Sequence, residues 1–184
     1  NEPPLLTASA SVSSTLDCNG DGDAEITVVA SDGTAPYTYY WEDASNPGVE
    51  LSTSASVSGL SAGTYDVTVT DDNGCEATDQ VVVNEPPLLT ASASVSSTLD
   101  CNGDGDAEIT VVASDGTAPY TYYWEDASNP GVELSTSASV SGLSAGTYDV
   151  TVTDDNGCEA TDQVVVNEPP LLTASASVSS TLDC

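Results

Sequence analysis

The chain of 184 residues has no lysine, no arginine and no histidine, against 30 aspartates and glutamates, for a formal charge of −30. Methionine and phenylalanine are also missing, and there are only two tryptophans. Each absence excludes something. A chain without basic side chains repels nucleic acid and anionic membrane, and it forms no side-chain salt bridge. Without histidine or lysine it lacks the commonest general base and the amine of covalent catalysis, so an enzyme is not expected. The Lys–Asn isopeptide staple of some surface pilins is excluded for the same reason. No run approaches the roughly 18 apolar residues of a membrane-spanning helix, and no Asn-x-Ser/Thr glycan acceptor occurs. Zinc is not expected, since the five cysteines are widely spaced and no histidine accompanies them.

What is present is a repeat. The text NEPPLLTASASVSSTLDC begins at residues 1, 84 and 167, and the intervening text is identical, giving a period of 83. That period is the size of a small domain, too long for a solenoid unit. The expected organisation is one domain over 1–83, an identical one over 84–166, and at 167–184 the N-terminal strand of a third, truncated copy. The text starts in a linker and stops on a cysteine, and so reads as a window on a longer array. High acidity alone suggests disorder. Against it stand a hydrophobic content of 39% and a mean hydropathy of −0.10, with the apolar residues in strict patterns.

Those patterns are β throughout. Residues 5–13 alternate Leu6, Ala8, Ala10 and Val12 with Ser and Thr, and 24–31 are rich in β-branched residues. Residues 36–43 are aromatic, 54–60 alternate again, and 63–71 place Tyr65, Val67 and Val69 on one face. The turn Asp71-Asp72-Asn73-Gly74 leads into 75–83, because Asn-Gly tolerates positive φ. Two prolines after Glu85 make a stiff linker. Six or seven short strands with frequent turns predict an all-β fold: tandem Ig-like antiparallel β-sandwiches in a beads-on-a-string rod. Trp41 and Trp124 are the expected core plugs. Tyr65 and Tyr148 stand where a tyrosine corner belongs. Of Tyr37, Tyr39 and Tyr40, at least one is expected to face outward.

The stretch TLDCNGDGDAE places Asp17, Asn19, Asp21, Asp23 and Glu25 on alternate positions, and Asp100, Asn102, Asp104, Asp106 and Glu108 repeat the set. Alternating oxygens around a Gly fit the first nine positions of a calcium loop. The twelfth, normally a bidentate Glu, is Val28, so this is no EF-hand. Calcium held by the loop and other ligands is one expectation; a solvated polar loop is the other. In a sandwich the first loop of one repeat lies at the end nearest the following repeat. Glu85, Asp154 and Asp155 would then supply junction ligands. Glu42, Asp43, Glu50, Asp66 and Asp79 read as solvated outer-face acids.

The cysteines follow the same geometry. Cys18 and Cys101 sit in the acidic loops; Cys75 and Cys158 open the last strands. Pairing within a repeat, Cys18–Cys75 and Cys101–Cys158, would join opposite ends of a sandwich. A seven-residue strand spans roughly 23 Å, and a disulfide tolerates a Cα separation of at most about 7 Å. Pairing Cys18 with Cys158 across the junction meets both constraints and would leave Cys75 for a preceding repeat and Cys101 and Cys184 for following ones. The pairing within a repeat stays open if the strand order differs. Cysteines at regular spacing suggest an oxidising, extracellular setting.

The segments CNGDGDAEITVVASDGTAPYTYYW and GLSAGTYDVTVTDDNGCEATDQVVVNEPP resemble the SprB repeat of Bacteroidota gliding adhesins. Asp32 departs from the Gly-Gly usual there. The resemblance implies a very long, secreted cell-surface adhesin, exported by the type IX route and used in gliding or attachment. On this reading the chain is a structural stalk or filament segment, with calcium and disulfides stiffening it. Its partners are neighbouring repeats, identical chains in a filament or bundle, and surface glycans or abiotic surfaces. Two alternatives stand beside it. One is a carbohydrate-binding module stacking sugars on Tyr39, Tyr40 and Trp41. The other is a subunit of a biofilm-matrix or sheath fibre.

Overall fold

Along residues 7–14 and 67–70 serine and threonine alternate with small or β-branched residues, so one face packs inward while the other meets water, as an extended backbone requires. A computed structural model describes residues 5–177 and 179. They form two compact units: the chain through Leu89 together with Asn156–Cys158, and Thr90–Asp155 together with the residues from Glu159 onward. The division falls after the linker, at Leu89/Thr90, where the repeat alone suggests 83/84. The cause is local: Glu85 and Pro86 hydrogen-bond to the acidic loop of the first copy, as shown below.

In the first unit the strands are β1 (Thr7–Ser14), β2 (Ala24–Ser31), β3 (Thr38–Asp43), β4 (Glu50–Ser52), β5 (Ser56–Leu60), β6 (Gly63–Thr70) and β7 (Glu76–Val83). A three-stranded sheet β1-β2-β5 packs on a four-stranded sheet β4-β3-β6-β7, every pair antiparallel. This is the Ig-like sandwich. Ile26 and Val28 of the first sheet meet Trp41, Val67 and Val69 of the second in one core. Trp41 is fully buried, and its indole N–H donates to the Ser54 carbonyl at 3.0 Å, so the one polar atom of the core plug is satisfied. Tyr65 makes the tyrosine corner, its hydroxyl donating to the Ser61 carbonyl at 2.9 Å.

The second unit repeats this with β8 (Thr90–Ser97), β9 (Ala107–Ser114), β10 (Thr121–Asp126), β11 (Glu133–Ser135), β12 (Ser139–Leu143), β13 (Gly146–Thr153) and β14 (Glu159–Val166). Its sheets run β8-β9-β12 and β11-β10-β13-β14. Trp124 fills the core, and Tyr148 donates to Ser144 at 2.9 Å.

The third copy of the first-strand text behaves differently. Its described residues, 167–177 and 179, form no strand, although a strand is expected there. β1 and β8 are held by pairing with AEITVVAS, and both copies of that text are already taken.

The two ends of the first sandwich are distinguishable. Gly33 packs against Leu6 and Asp71, so the Asp71–Gly74 turn and Cys75 lie beside the start of β1. Gly22 of the acidic loop lies against Ser61, beyond the other end of β1. That strand spans about 23 Å, which separates Cys75 from Cys18.

Candidate functional site at the acidic loop

The loop between β1 and β2 runs from Thr15 to Asp23, anchored by buried Leu16 near its start and buried Ala24 just past its end. Two of its carboxylates turn to backbone amides. Asp21 Oδ2 accepts from the Cys18 amide at 3.1 Å, and Asp23 Oδ1 accepts from the Asp17 amide at 3.4 Å. The Asp21 amide closes the turn onto the Cys18 carbonyl at 3.2 Å. The loop is also clasped to the linker. Asn19 Nδ2 donates to the Pro86 carbonyl at 2.8 Å, and the Gly20 amide donates to the Glu85 carboxylate. The second copy repeats the clasp: Asn102 donates to Pro169 at 2.9 Å and the Gly103 amide to Glu168. Asp106 Oδ1 likewise accepts from the Asp100 amide at 3.3 Å.

Among the described residues no three Asp, Glu or Cys side chains stand together as a metal set. Glu25 and Glu108 have left the loop for the first residues of β2 and β9, paired with Ser14 and Ser97. Asp155 is exposed. Asp154 is buried and accepts from the Thr117 amide at 2.8 Å. Its counterpart Asp71 shows why. Asp71 Oδ2 accepts from Thr34 at 3.0 Å, and Oδ1 accepts from Asn73 at 3.0 Å and Cys75 at 2.8 Å. The Cys75 amide first, then that of Thr34 and that of Asn73, hold the Asp71 carboxyl below its ordinary 3.8, against the opposing effect of burial. This residue organises its own hairpin.

Several acids expected to be merely solvated do similar work. Asp79 Oδ2 accepts from the Ala10 amide at 2.7 Å, tying β7 to β1, the edge strand of the other sheet. Glu42 accepts from Gly48 at 2.7 Å, Asp43 from Ser45 at 2.7 Å, and Asp66 from the Gln80 amide group at 2.7 Å. The Ser45 contacts lower the Asp43 carboxyl pKa. With no cationic side chain in the sequence, backbone N–H groups, and for Asp66 the Gln80 side-chain amide, supply the charge-assisted partners.

Cys18 is bonded to Cys158, with a Cα–Cα distance of 5.6 Å and a sequence separation of 140. Asn156 Nδ2 donates to the Asp17 carbonyl at 3.2 Å beside it. Cys75 and Cys101 are free and exposed. The pairing within a repeat, Cys18–Cys75 and Cys101–Cys158, is thus excluded, for the reason of distance along β1. Cys184 lies outside the described residues. The sugar platform loses two of its three aromatics: Trp41 is fully buried and Tyr39 packs against the core, which leaves Tyr40 half-buried on the outer face. Burial first, then the charges of Glu42 and Glu50, push the Tyr40 hydroxyl above its ordinary 10.0.

Two successive sandwiches of one topology make this a tandem-repeat Ig-like β-sandwich protein. The family model SprB repeat matches residues 10–46 and 93–129, once in each copy. These two matches support a repeat of the cell-surface adhesin type. The chain is similar to the dyslexia-associated protein KIAA0319-like protein of Mus musculus, 33% identical over 141 residues, 65% of this chain and 13% of that protein. Among solved structures, a 282-residue C-terminal fragment of intimin in complex with the intimin-binding domain of its translocated receptor is similar at 14% identity. That match covers 90% of this chain and 64% of the fragment, with a TM-score of 0.39. A tetra-tandem repeat from the extending region of a large adhesion protein is similar at 18% identity, covering 89% of this chain and 50% of that one, with a TM-score of 0.33. The chain thus spans a small part of the mouse protein and about two thirds of the intimin fragment. Among the described residues no helix is long and apolar enough to cross a membrane.

Proposed function

We propose that this chain is a non-enzymatic stalk segment of a long extracellular adhesin. Its work is to hold a binding region away from a cell and to transmit load. The observation that carries this reading is the clasp made twice in the same way, Asn19 and Gly20 to Pro86 and Glu85, and Asn102 and Gly103 to Pro169 and Glu168. A repeat that orients its own exit linker suits an extended array better than a loose tether. The disulfide adds covalent continuity, and the SprB repeats supply the adhesin context. Attachment specificity then lies in other parts of the protein or in weak contacts multiplied along the array.

Calcium is the finer part of the proposal. Its supports are the alternating oxygens of Asp17, Asn19, Asp21 and Asp23 and a charge of −30 without one basic residue. Binding would draw Asp21 and Asp23 away from the backbone amides that they now accept from, so affinity belongs at the weak, extracellular end. Thermal unfolding with calcium, with chelator and at matched ionic strength tests it. A calcium-specific rise in midpoint that disappears in Asp21→Asn/Asp23→Asn/Asp104→Asn/Asp106→Asn supports the metal; equal response to matched salt removes it.

The stalk reading is tested on intact cells that make the protein. Antibody against this chain should label unpermeabilised cells, and deletion of repeats should weaken attachment under flow while leaving binding in still medium. Labelling only after permeabilisation would overturn the reading.

A further inference from the structure

The bonded cysteines and the free ones occupy the same two positions of the repeat. Cys18 and Cys101 both stand in TLDCNG; Cys158 and Cys75 both follow DDNG and open the last strand. One member of each kind is joined, Cys18 to Cys158, and one of each is left exposed as a thiol. The free pair stands in the same local frames as the bonded pair. The Asp104 amide donates to the Cys101 carbonyl at 3.2 Å, as that of Asp21 does to Cys18, and the linker clasp is made beside Cys101 too. Cys75 is pinned on both sides of its peptide, donating to Asp71 Oδ1 at 2.8 Å and accepting from the Asp71 amide at 3.0 Å.

We propose that Cys101 and Cys75 are the two open halves of a head-to-tail disulfide staple, and that each takes as partner another copy of this repeat. Cys101 takes the cysteine that opens a last strand; Cys75 takes a loop cysteine. The Cys18–Cys158 bond shows that the two local sequences fit each other. The same contact supplies a second element of recognition. Asn156 donates to the Asp17 carbonyl, so in the proposed pair Asn73, now bonded to Thr34 Oγ1 at 2.8 Å, donates to the Asp100 carbonyl of the partner copy. This inference rests on the bond, not on the stalk reading, and stands or falls apart from it.

The chemistry is thiol–disulfide exchange with a small-molecule disulfide such as oxidised glutathione. The Cys101 thiolate attacks one sulfur and a glutathione thiolate leaves. The Cys75 thiolate of a second copy then attacks the Cys101 sulfur, and the second glutathione thiolate leaves. Two protein thiols give up two protons and two electrons; one small-molecule disulfide becomes two thiols.

The test uses these 184 residues carrying Cys184→Ser, incubated with oxidised and reduced glutathione and read by non-reducing gel and peptide mapping. The expected result is a ladder of oligomers joined by Cys101–Cys75. Cys75→Ser alone and Cys101→Ser alone each stay monomeric. Mixing the two yields a dimer, linked through Cys101 of the first and Cys75 of the second. Asn73→Ala slows ladder growth. Symmetrical dimers in the single variants, a Cys75–Cys101 bond inside a monomer, or a mixture that stays monomeric while Cys18–Cys158 maps intact would each overturn the proposal. Both substituted thiols are exposed, and circular dichroism confirms that the variants are folded.

Discussion

The Cys75 amide donates to Asp71 Oδ1 at 2.8 Å, so the residue that opens the last strand is set by a carboxylate four positions before it. Amides of Thr34 and Asn73 complete the set. These contacts depress the Asp71 pKa below 3.8. A depressed carboxylate contributes stability that is present above its unfolded pKa and lost as pH falls through the folded value. The acid limb of unfolding should therefore lie below pH 3.8. Asp71→Asn with Asp154→Asn should lower the midpoint at neutral pH and flatten that limb, read as urea midpoints between about pH 5 and pH 2. An unchanged acid limb would show that Asp71 does not carry the dependence.

Trp41, Tyr65 and the limits of β2 were legible in the sequence because their signals are local: an aromatic in an alternating run, a tyrosine opening a strand, β-branched text bounded by turns. The Cys18–Cys158 pairing was legible as the one of two options that suits the strand order. The roles of Asp71, Asp79 and Glu85 were not. Their partners are backbone amides, which every residue but proline carries, so no partner residue type betrays them. Asp79 shows the difficulty well. It alternates in phase with Val81 and Val83 and so points inward, where a charge on an edge strand finds the Ala10 amide and also guards the edge. The metal ligands were read from spacing alone, and spacing does not tell whether an oxygen turns to a cation or to an N–H.

The tyrosine corners should be separable from simple packing. Tyr65→Phe with Tyr148→Phe keeps the ring and removes the bonds to Ser61 and Ser144, at a cost of about 1 kcal/mol per repeat. Burial first, then the charge of Asp43 or Asp126, raises both hydroxyl pKa values above 10.0. A raised pKa contributes stability fully present below the unfolded value and lost as pH rises through the folded one. Wild type should thus weaken above pH 10 and the double variant less so. Parallel alkaline titrations of the two proteins would sink this assignment.

The turn before β3 tests backbone strain. Asp32 and Gly33 both have positive φ, 61° and 64°, and Asp is among the residues that tolerate that region. Asp32→Gly should stabilise by up to ~1 kcal/mol. Gly33→Ala should destabilise by about 1–3 kcal/mol, since its new Cβ would stand 3.0 Å from both Asp71 Oδ2 and Leu6 Cδ1. Gly48 is the control: φ is +86° and nothing lies within 4 Å of a Cβ there. Gly48→Ala should cost less than Gly33→Ala, and equal losses in denaturant midpoint would remove the packing argument.

The disulfide changes what a pulling force can reach. Force applied at the two termini passes along the covalent chain, and with Cys18 bonded to Cys158 the shortest covalent path crosses the bond and bypasses everything between them. Every strand from β2 to β13 lies inside that bypass. Single-molecule stretching of the oxidised chain should therefore release only the residues outside the loop. Reduction, or Cys18→Ser, should restore unfolding of both sandwiches and lengthen the fully extended chain by about 480 Å, at some 3.4 Å for each of the 140 residues. Each sandwich has its own tryptophan core, so the reduced chain should still be folded before force is applied. A stapled chain that unfolds with the same steps and the same final length as the reduced one would show that the bond does not carry the load.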